Sequence, residues 1–115
     1  MVLGASANPE RYSYLAISRL KNAGEEVVAI GNKPGEVSGV SIYTSPLKIE
    51  GLDTVTLYLS PVNQIGYYEY IIALKPKRVI FNPGTENPEF AKLLKQNGID
   101  AEIACTLVLL STGQY

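Results

Sequence analysis

The stretch VLGASANPERYSYLAISRL, from Val2 to Leu20, gives the strongest indication of the fold. A short apolar run leads into a turn at Gly4, and a helical pattern follows with Tyr14, Ile17 and Leu20 near one face. A strand, a tight turn and a helix form the first half of a βαβ unit. The turn lacks the three-glycine spacing of a dinucleotide-binding loop, so the stretch predicts the architecture but leaves the ligand open.

The rest of the chain repeats this alternation of apolar runs and helical patterns. It predicts strands at 1–4, 25–32, 53–60, 77–84 and 100–105, helices at 10–24, 63–75 and 87–98, a short edge segment at 40–45 and a last helical turn in the tail. We therefore expect one α/β domain over residues 1–115, a Rossmann-like three-layer sandwich. Its five-stranded parallel sheet is expected in the order 3-2-1-4-5, with ligands bound between predicted strands one and four.

Composition excludes several classes of function. The 115 residues contain 10 basic and 11 acidic side chains, a balance that disfavours nucleic acid as a partner. No apolar run approaches the roughly 20 residues of a membrane span, and no signal peptide is recognisable. A single cysteine, Cys105, fits a cytoplasmic protein. The absence of histidine removes His-based acid–base pairs and most zinc sites, so neither catalytic residues nor a metal site is expected.

The first loop has the features of an anion site. Gly4, Ala5 and Ser6 are small enough for a ligand to approach the backbone, and the free N–H groups of the following helix favour an anion such as pyrophosphate. Arg11 stands at the helix start, within reach of the same anion. A plain βα turn with a surface arginine is the alternative, and the loop alone does not decide between them.

The turn after predicted strand two has no carboxylate for the ribose hydroxyls of NAD. It offers Asn32 and Lys33 instead, an amide beside a cation, which suits a ribose that carries a phosphate. An ordinary solvent-exposed turn is the alternative interpretation, because Asn, Pro and Gly are common turn residues.

Two further loops complete the predicted edge. Leu59, Ser60 and Pro61 end predicted strand three and could form a flat wall for an adenine, although Pro61 also suits a helix start. The tyrosine-rich helix that follows is expected to pack or to mediate self-association. After predicted strand four come Asn82, Pro83, Gly84 and Thr85, before a helix that Thr85 or Asn87 could cap. Near them Glu86 is the one expected carboxylate, and Cys105 is expected either at the rim or as an inert buried thiol.

Taken together, these segments resemble the CoA-binding domain family, which includes the N-terminal domain of the succinyl-CoA synthetase alpha subunit. The resemblance rests on VLGASANPERYSY, VVAIGNKPGEVSGVSIYTS, YLSP and NPGTENPEF, spans nearly the whole chain, and is greatest to small stand-alone members. It implies a coenzyme A or acyl-CoA ligand. The implied contacts are pyrophosphate with Gly4, Ala5, Ser6, Asn8 and Arg11; phosphorylated ribose with Asn32 and Lys33; adenine with Leu59, Ser60 and Pro61; and the pantetheine arm with Asn82, Pro83, Gly84 and Thr85.

Three functions follow as expectations. The first is a non-catalytic CoA or acyl-CoA binding module, because the phosphohistidine chemistry of the synthetase needs a histidine and a second domain. The second is an NADP-type nucleotide-binding enzyme or enzyme subunit, since Lys33 could equally hold a 2′-phosphate. The third is an interaction protein, a homo-oligomer or a partner of another protein, that uses the helix at 63–75.

Overall fold

The computed structural model describes residues 1–115 and shows one seven-stranded sheet with helices on both faces. The strands are β1 (Val2–Leu3), β2 (Ala29–Ile30), β3 (Gly35–Val37), β4 (Val40–Tyr43), β5 (Thr54–Leu57), β6 (Arg78–Phe81) and β7 (Asp100–Ile103). The helices are α1 (Tyr12–Asn22), α2 (Pro61–Gln64), α3 (Tyr68–Leu74), α4 (Pro88–Gln96) and α5 (Thr106–Ser111). A 3-10 turn, Ile65–Tyr67, joins α2 to α3. The predicted Rossmann-like α/β class is confirmed.

The predicted five-stranded order 3-2-1-4-5 is wrong. The observed order is β3-β4-β2-β1-β5-β6-β7, and every neighbouring pair is parallel except β3 with β4. The segment expected to be a short edge piece is strand β4, which takes the place beside β2 because Val40 and Ile42 are buried on one face. Predicted strand three is β5, and it pairs with β1 on the side opposite β2.

This order moves the point at which the sheet reverses its direction of growth. The two neighbours of β1 are β2 and β5, so the switch point lies between β1 and β5, and not between β1 and the strand at 78–81. Ligand sites of open parallel sheets form at such a point. The loops after β1 and β5 therefore become direct neighbours, and the loop after β6 lies one strand further along the same edge.

Two apolar clusters cover the two faces of the sheet. One contains Leu3, Leu57 and Phe81 from the strands together with Ile71 of α3 and Phe90 of α4. The other is built from strand residues and α1, with Val2, Ile17 and Ile42 among its members and Leu110 of α5 packed against it. Neighbouring residues such as Val2 and Leu3 enter opposite clusters, because successive side chains of a strand point to opposite faces. The sheet is thus buried on both sides, as its parallel strands require.

The helix expected at 63–75 is divided. Pro61 begins α2, and the chain tightens into a 3-10 turn around Gly66 before α3 begins at Tyr68. The tyrosine rings lie against the core: Tyr68 stacks on Phe90 with 4.2 Å between ring centroids. No helix has both the length and the apolar character needed to cross a membrane.

Candidate functional site

A cleft of about 760 Å³ opens at the carboxyl edge of the sheet. Its walls are the loops that follow β1, β2, β5 and β6, together with the first turn of α1. Twelve of the fourteen residues predicted for the site line it: Gly4, Ala5, Ser6, Asn8, Arg11, Asn32, Lys33, Leu59, Ser60, Pro83, Gly84 and Thr85. The topology thus brings four loops that are far apart in the sequence to one place.

The first loop runs unusually close to its neighbours. Gly4 has a positive φ of 90°, and a Cβ at this position would lie 2.8 Å from the backbone of Tyr58. A Cβ on Gly31 would collide with the carbonyl oxygen of Ala5. Two glycines therefore allow the loop to approach both the residue after β2 and the residue after β5 closely.

Local hydrogen bonds shape the segment between this loop and α1. The backbone N–H of Asn8 donates to Ser6 Oγ at 3.1 Å, and the N–H of Glu10 donates to Asn8 Oδ1 at 3.0 Å. Helix α1 begins without a side-chain cap, and no acidic residue occupies its first turn. The N–H groups at this helix end therefore contribute a partial positive charge to the site.

The charged side chains of the cleft are all cationic. Arg11 and Lys33 line it, and no aspartate or glutamate does. Neither cation belongs to either of the two ion pairs in the protein, which join Lys77 to Asp53 and Arg78 to Glu102. Since the chain as a whole has a net charge of −1, this positive bias is local. Such a cleft can hold an anionic ligand with more than one phosphate.

Asn82 does not line the cleft. Its side chain is buried beneath the sheet edge, where Nδ2 donates to Thr56 Oγ1 at 2.6 Å and to the carbonyl of Leu57 at 2.9 Å. Its Oδ1 accepts from the backbone N–H of Thr106 at 2.9 Å. Asn82 thus joins β5, β6 and the start of α5, and its side-chain groups are already satisfied by protein partners. Pro61 also lies outside the cleft lining, as the first residue of α2.

Two other predicted neighbours of the site lie elsewhere. Glu86 lines a separate groove of about 620 Å³ between α4 and the end of β7, with Lys92, Lys95 and Ile103. Cys105 is partly buried at the start of α5 and is not among the residues that line the cleft.

The cleft also contains residues that sequence reasoning missed: Ala7, Tyr12, Ser13, Pro34, Tyr58 and Asn63. Tyr58 is the most informative of these, because it follows β5 directly and burial raises the pKa of its hydroxyl to about 12. Tyr58 falls inside the strand predicted at 53–60, and the residues predicted for the site begin at Leu59. The signal in the sequence that could have identified Tyr58 is its position at the end of a strand beside the switch point, where ligand sites form.

Comparison with known proteins agrees with the fold and with the resemblance noted above. The family model described as CoA binding domain matches residues 1–111. The chain belongs to the CoA-binding domain family. No curated protein matches it significantly.

Solved structures extend this likeness over the whole domain. A crystal structure of an uncharacterized protein superposes with a TM-score of 0.96 at 54% identity, over 99% of this chain and 94% of that one. A Thermus thermophilus protein gives 0.86 at 26% identity, with 99% and 87% covered. A hypothetical protein from Pyrococcus horikoshii gives 0.84 at 29% identity, with 96% and 80% covered. This member of the CoA-binding domain family is therefore similar, over nearly its whole length, to small proteins that are only slightly longer.

Proposed function

We propose that this CoA-binding domain binds coenzyme A or an acyl-CoA in the cleft between β1 and β5, as a binding module without catalytic activity of its own. The observation that carries the proposal is the pairing of two cations with a complete absence of carboxylates in the cleft lining. Coenzyme A carries a pyrophosphate and a 3′-phosphate, so its charge is complementary to Arg11, Lys33 and the uncapped start of α1.

The walls suit the remainder of such a ligand. Leu59 and Ser60 lie on the β5 side, where an adenine could rest, and Pro83 and Gly84 lie on the β6 side, along a path for the pantetheine arm. The turn after β2 has no acidic residue to hold an unphosphorylated ribose. A binding role is further supported by the lining residues, among which there is no carboxylate, thiol or imidazole to serve as acid, base or nucleophile.

The test is calorimetric titration of the purified protein with CoA and with dephospho-CoA. We expect CoA to bind more tightly, by about fivefold, because the extra phosphate meets an exposed lysine. The variant Lys33→Ala should bind the two ligands with similar affinity. Lys21→Ala, which removes an exposed lysine at the far end of α1, is the matched control and should keep the wild-type preference.

Equal affinity of the wild-type protein for CoA and dephospho-CoA would show that Lys33 does not pair with the 3′-phosphate. Titrations with NAD and NADP address the alternative, a nucleotide-dependent enzyme or enzyme subunit. Because Lys33 could also pair with a 2′-phosphate, binding of NADP without binding of CoA would replace the present proposal with that one.

A further inference from the structure

The loops on two sides of the cleft are connected by one buried side chain, Gln64 of α2. Its exposed fraction is 0%, although glutamine is usually a surface residue. The Nε2 group donates to the carbonyl oxygen of Leu59 at 2.9 Å and to that of Thr85 at 2.8 Å. Leu59 follows β5 and Thr85 follows β6, and both residues line the cleft. A single amide group therefore spans the two loops from behind.

The other end of the same amide is also engaged. Gln64 Oε1 accepts a hydrogen bond of 2.9 Å from Nδ2 of Asn87, the residue that caps α4 by accepting from the N–H of Phe90. Asn87 Nδ2 also donates to the hydroxyl of Tyr68 at 2.8 Å. No buried side-chain nitrogen or oxygen in the protein lacks a partner. The orientation of Gln64 is therefore determined, since a flipped amide would place its oxygen against two carbonyl oxygens.

We propose that Gln64 is a positioning residue for the cleft: its amide holds the loops after β5 and β6 at the separation that the ligand requires. This inference rests on the proposed CoA-binding function. Gln64 is absent from the cleft lining and so acts only through Leu59 and Thr85. The backbone ladder between β5 and β6 ends at Leu57 and Phe81, and Asn82 links the two strand ends directly beyond it. Gln64 is the side chain that joins the two loops further out, at Leu59 and Thr85. Loop separation matters because small displacements in a binding site weaken several ligand contacts at once.

The variant Gln64→Glu tests this with a nearly identical shape. When protonated, the introduced carboxyl can still accept from Asn87 and donate to one carbonyl oxygen. When ionised, it presents an oxygen to the carbonyls of Leu59 and Thr85 and repels both. Burial raises the pKa of a carboxyl, so the introduced group should be protonated at about pH 5 and ionised at about pH 9. We therefore expect CoA to bind the variant almost normally at about pH 5 and about tenfold more weakly at about pH 9, where both carbonyl oxygens lack a donor.

Two controls separate positioning from other effects. Gln96→Glu makes the same chemical change at an exposed site on α4, and its CoA affinity should follow the wild-type pH profile. This control leaves unchanged the nearby polar groups, the Tyr68 hydroxyl and the Glu89 carboxylate to which that hydroxyl donates. Ile71→Val trims the buried core of α3 and should lower the melting temperature with no effect on CoA affinity. An equal loss of affinity in Ile71→Val would show that Gln64 acts through general stability and would overturn the proposal.

A readout without ligand distinguishes failure of this inference from failure of the proposed function. If the wild-type protein does not bind CoA, the proposed function fails, and the ligand-free Gln64→Glu variant still tests the role of Gln64. Its reporters are the amide resonances of Ser60 and Glu86, whose N–H groups share peptide bonds with the carbonyls of Leu59 and Thr85. Movement of both with the titration of the introduced carboxyl supports the bridge, whereas movement of one or neither overturns it. If Gln64→Glu does not fold, Gln64→Met replaces it: weaker CoA binding at every pH supports the proposal, and unchanged affinity overturns it.

Discussion

Gly31 sets how closely the first loop approaches β2. The backbone of Ala5 occupies the space that a side chain at position 31 would need. We expect Gly31→Ala to displace the loop, to lower the free energy of unfolding by about 2 kcal/mol and to weaken CoA binding. Chemical denaturation and calorimetry of the same preparation measure the two effects.

The matched control for this substitution is Gly66→Ala. Gly66 lies in the 3-10 turn after α2, where a Cβ would meet open space and φ is not in the positive range. This variant should be at least as stable as the wild type, because alanine restricts the unfolded chain more than glycine does. If Gly31→Ala is as stable as the wild-type protein, the close contact with Ala5 does not constrain the loop.

The location of a site residue was predictable from the sequence where it depended only on which strand the residue follows. Arg11 comes eight residues after the end of β1 and Lys33 three residues after the end of β2, and the carboxyl ends of parallel strands share one edge of the sheet. The role of Gly31 depends on the carbonyl of Ala5, a residue 26 positions earlier in the chain, so the local sequence does not reveal it.

At the scale of secondary-structure elements, Asn82 joins the ends of β5 and β6 to the beginning of α5. We expect Asn82→Ala to lower the free energy of unfolding by about 2–3 kcal/mol, because the buried Thr56 hydroxyl and the Thr106 N–H lose a partner. Asn63→Ala, which removes an exposed amide from the cleft lining, should leave stability nearly unchanged. Urea denaturation of both variants measures the difference.

An Asn82→Ala protein with wild-type stability and no CoA binding would contradict this structural role and return Asn82 to the site. The sequence suggested a ligand contact because Asn82 follows a strand at the ligand-binding edge. The direction of its side chain depends on the start of α5, 24 residues later in the chain. The sequence around Asn82 does not indicate where that helix start lies.

The elements themselves were largely predictable, with three informative exceptions. No strand was predicted at 35–37, a stretch that the sequence indicated as a loop, yet β3 forms there and pairs antiparallel with β4. Strand β4 was underestimated because only four residues carry its alternation of buried and exposed positions. The tyrosine-rich segment was predicted as one helix because Gly66 interrupts its apolar pattern only weakly. Tyr68, the first residue of α3, stacks on Phe90, and that contact joins residues 22 positions apart.

At the scale of the whole molecule, the positive cleft stands on a chain of net charge −1. Solvent-exposed charges are screened by salt, so CoA affinity should fall by about fivefold between about 0.05 and 0.5 M sodium chloride. The double variant Arg11→Ala, Lys33→Ala should bind weakly and show little dependence on salt. Titrations at several salt concentrations measure both slopes, and a wild-type affinity that is independent of salt would contradict an electrostatic contribution from these two side chains.

The sequence by itself determined the α/β class, the resemblance to the CoA-binding domain family and the loops from which twelve cleft residues come. These features depend on short-range patterns: apolar runs, helix signals and the turn residues that follow each strand. Only the tertiary structure decided the strand order, the burial of Asn82 and the bridge formed by Gln64. The physical reason is that each of these depends on hydrogen bonds between segments more than ten residues apart, and no local propensity encodes which distant strand or carbonyl a group will meet.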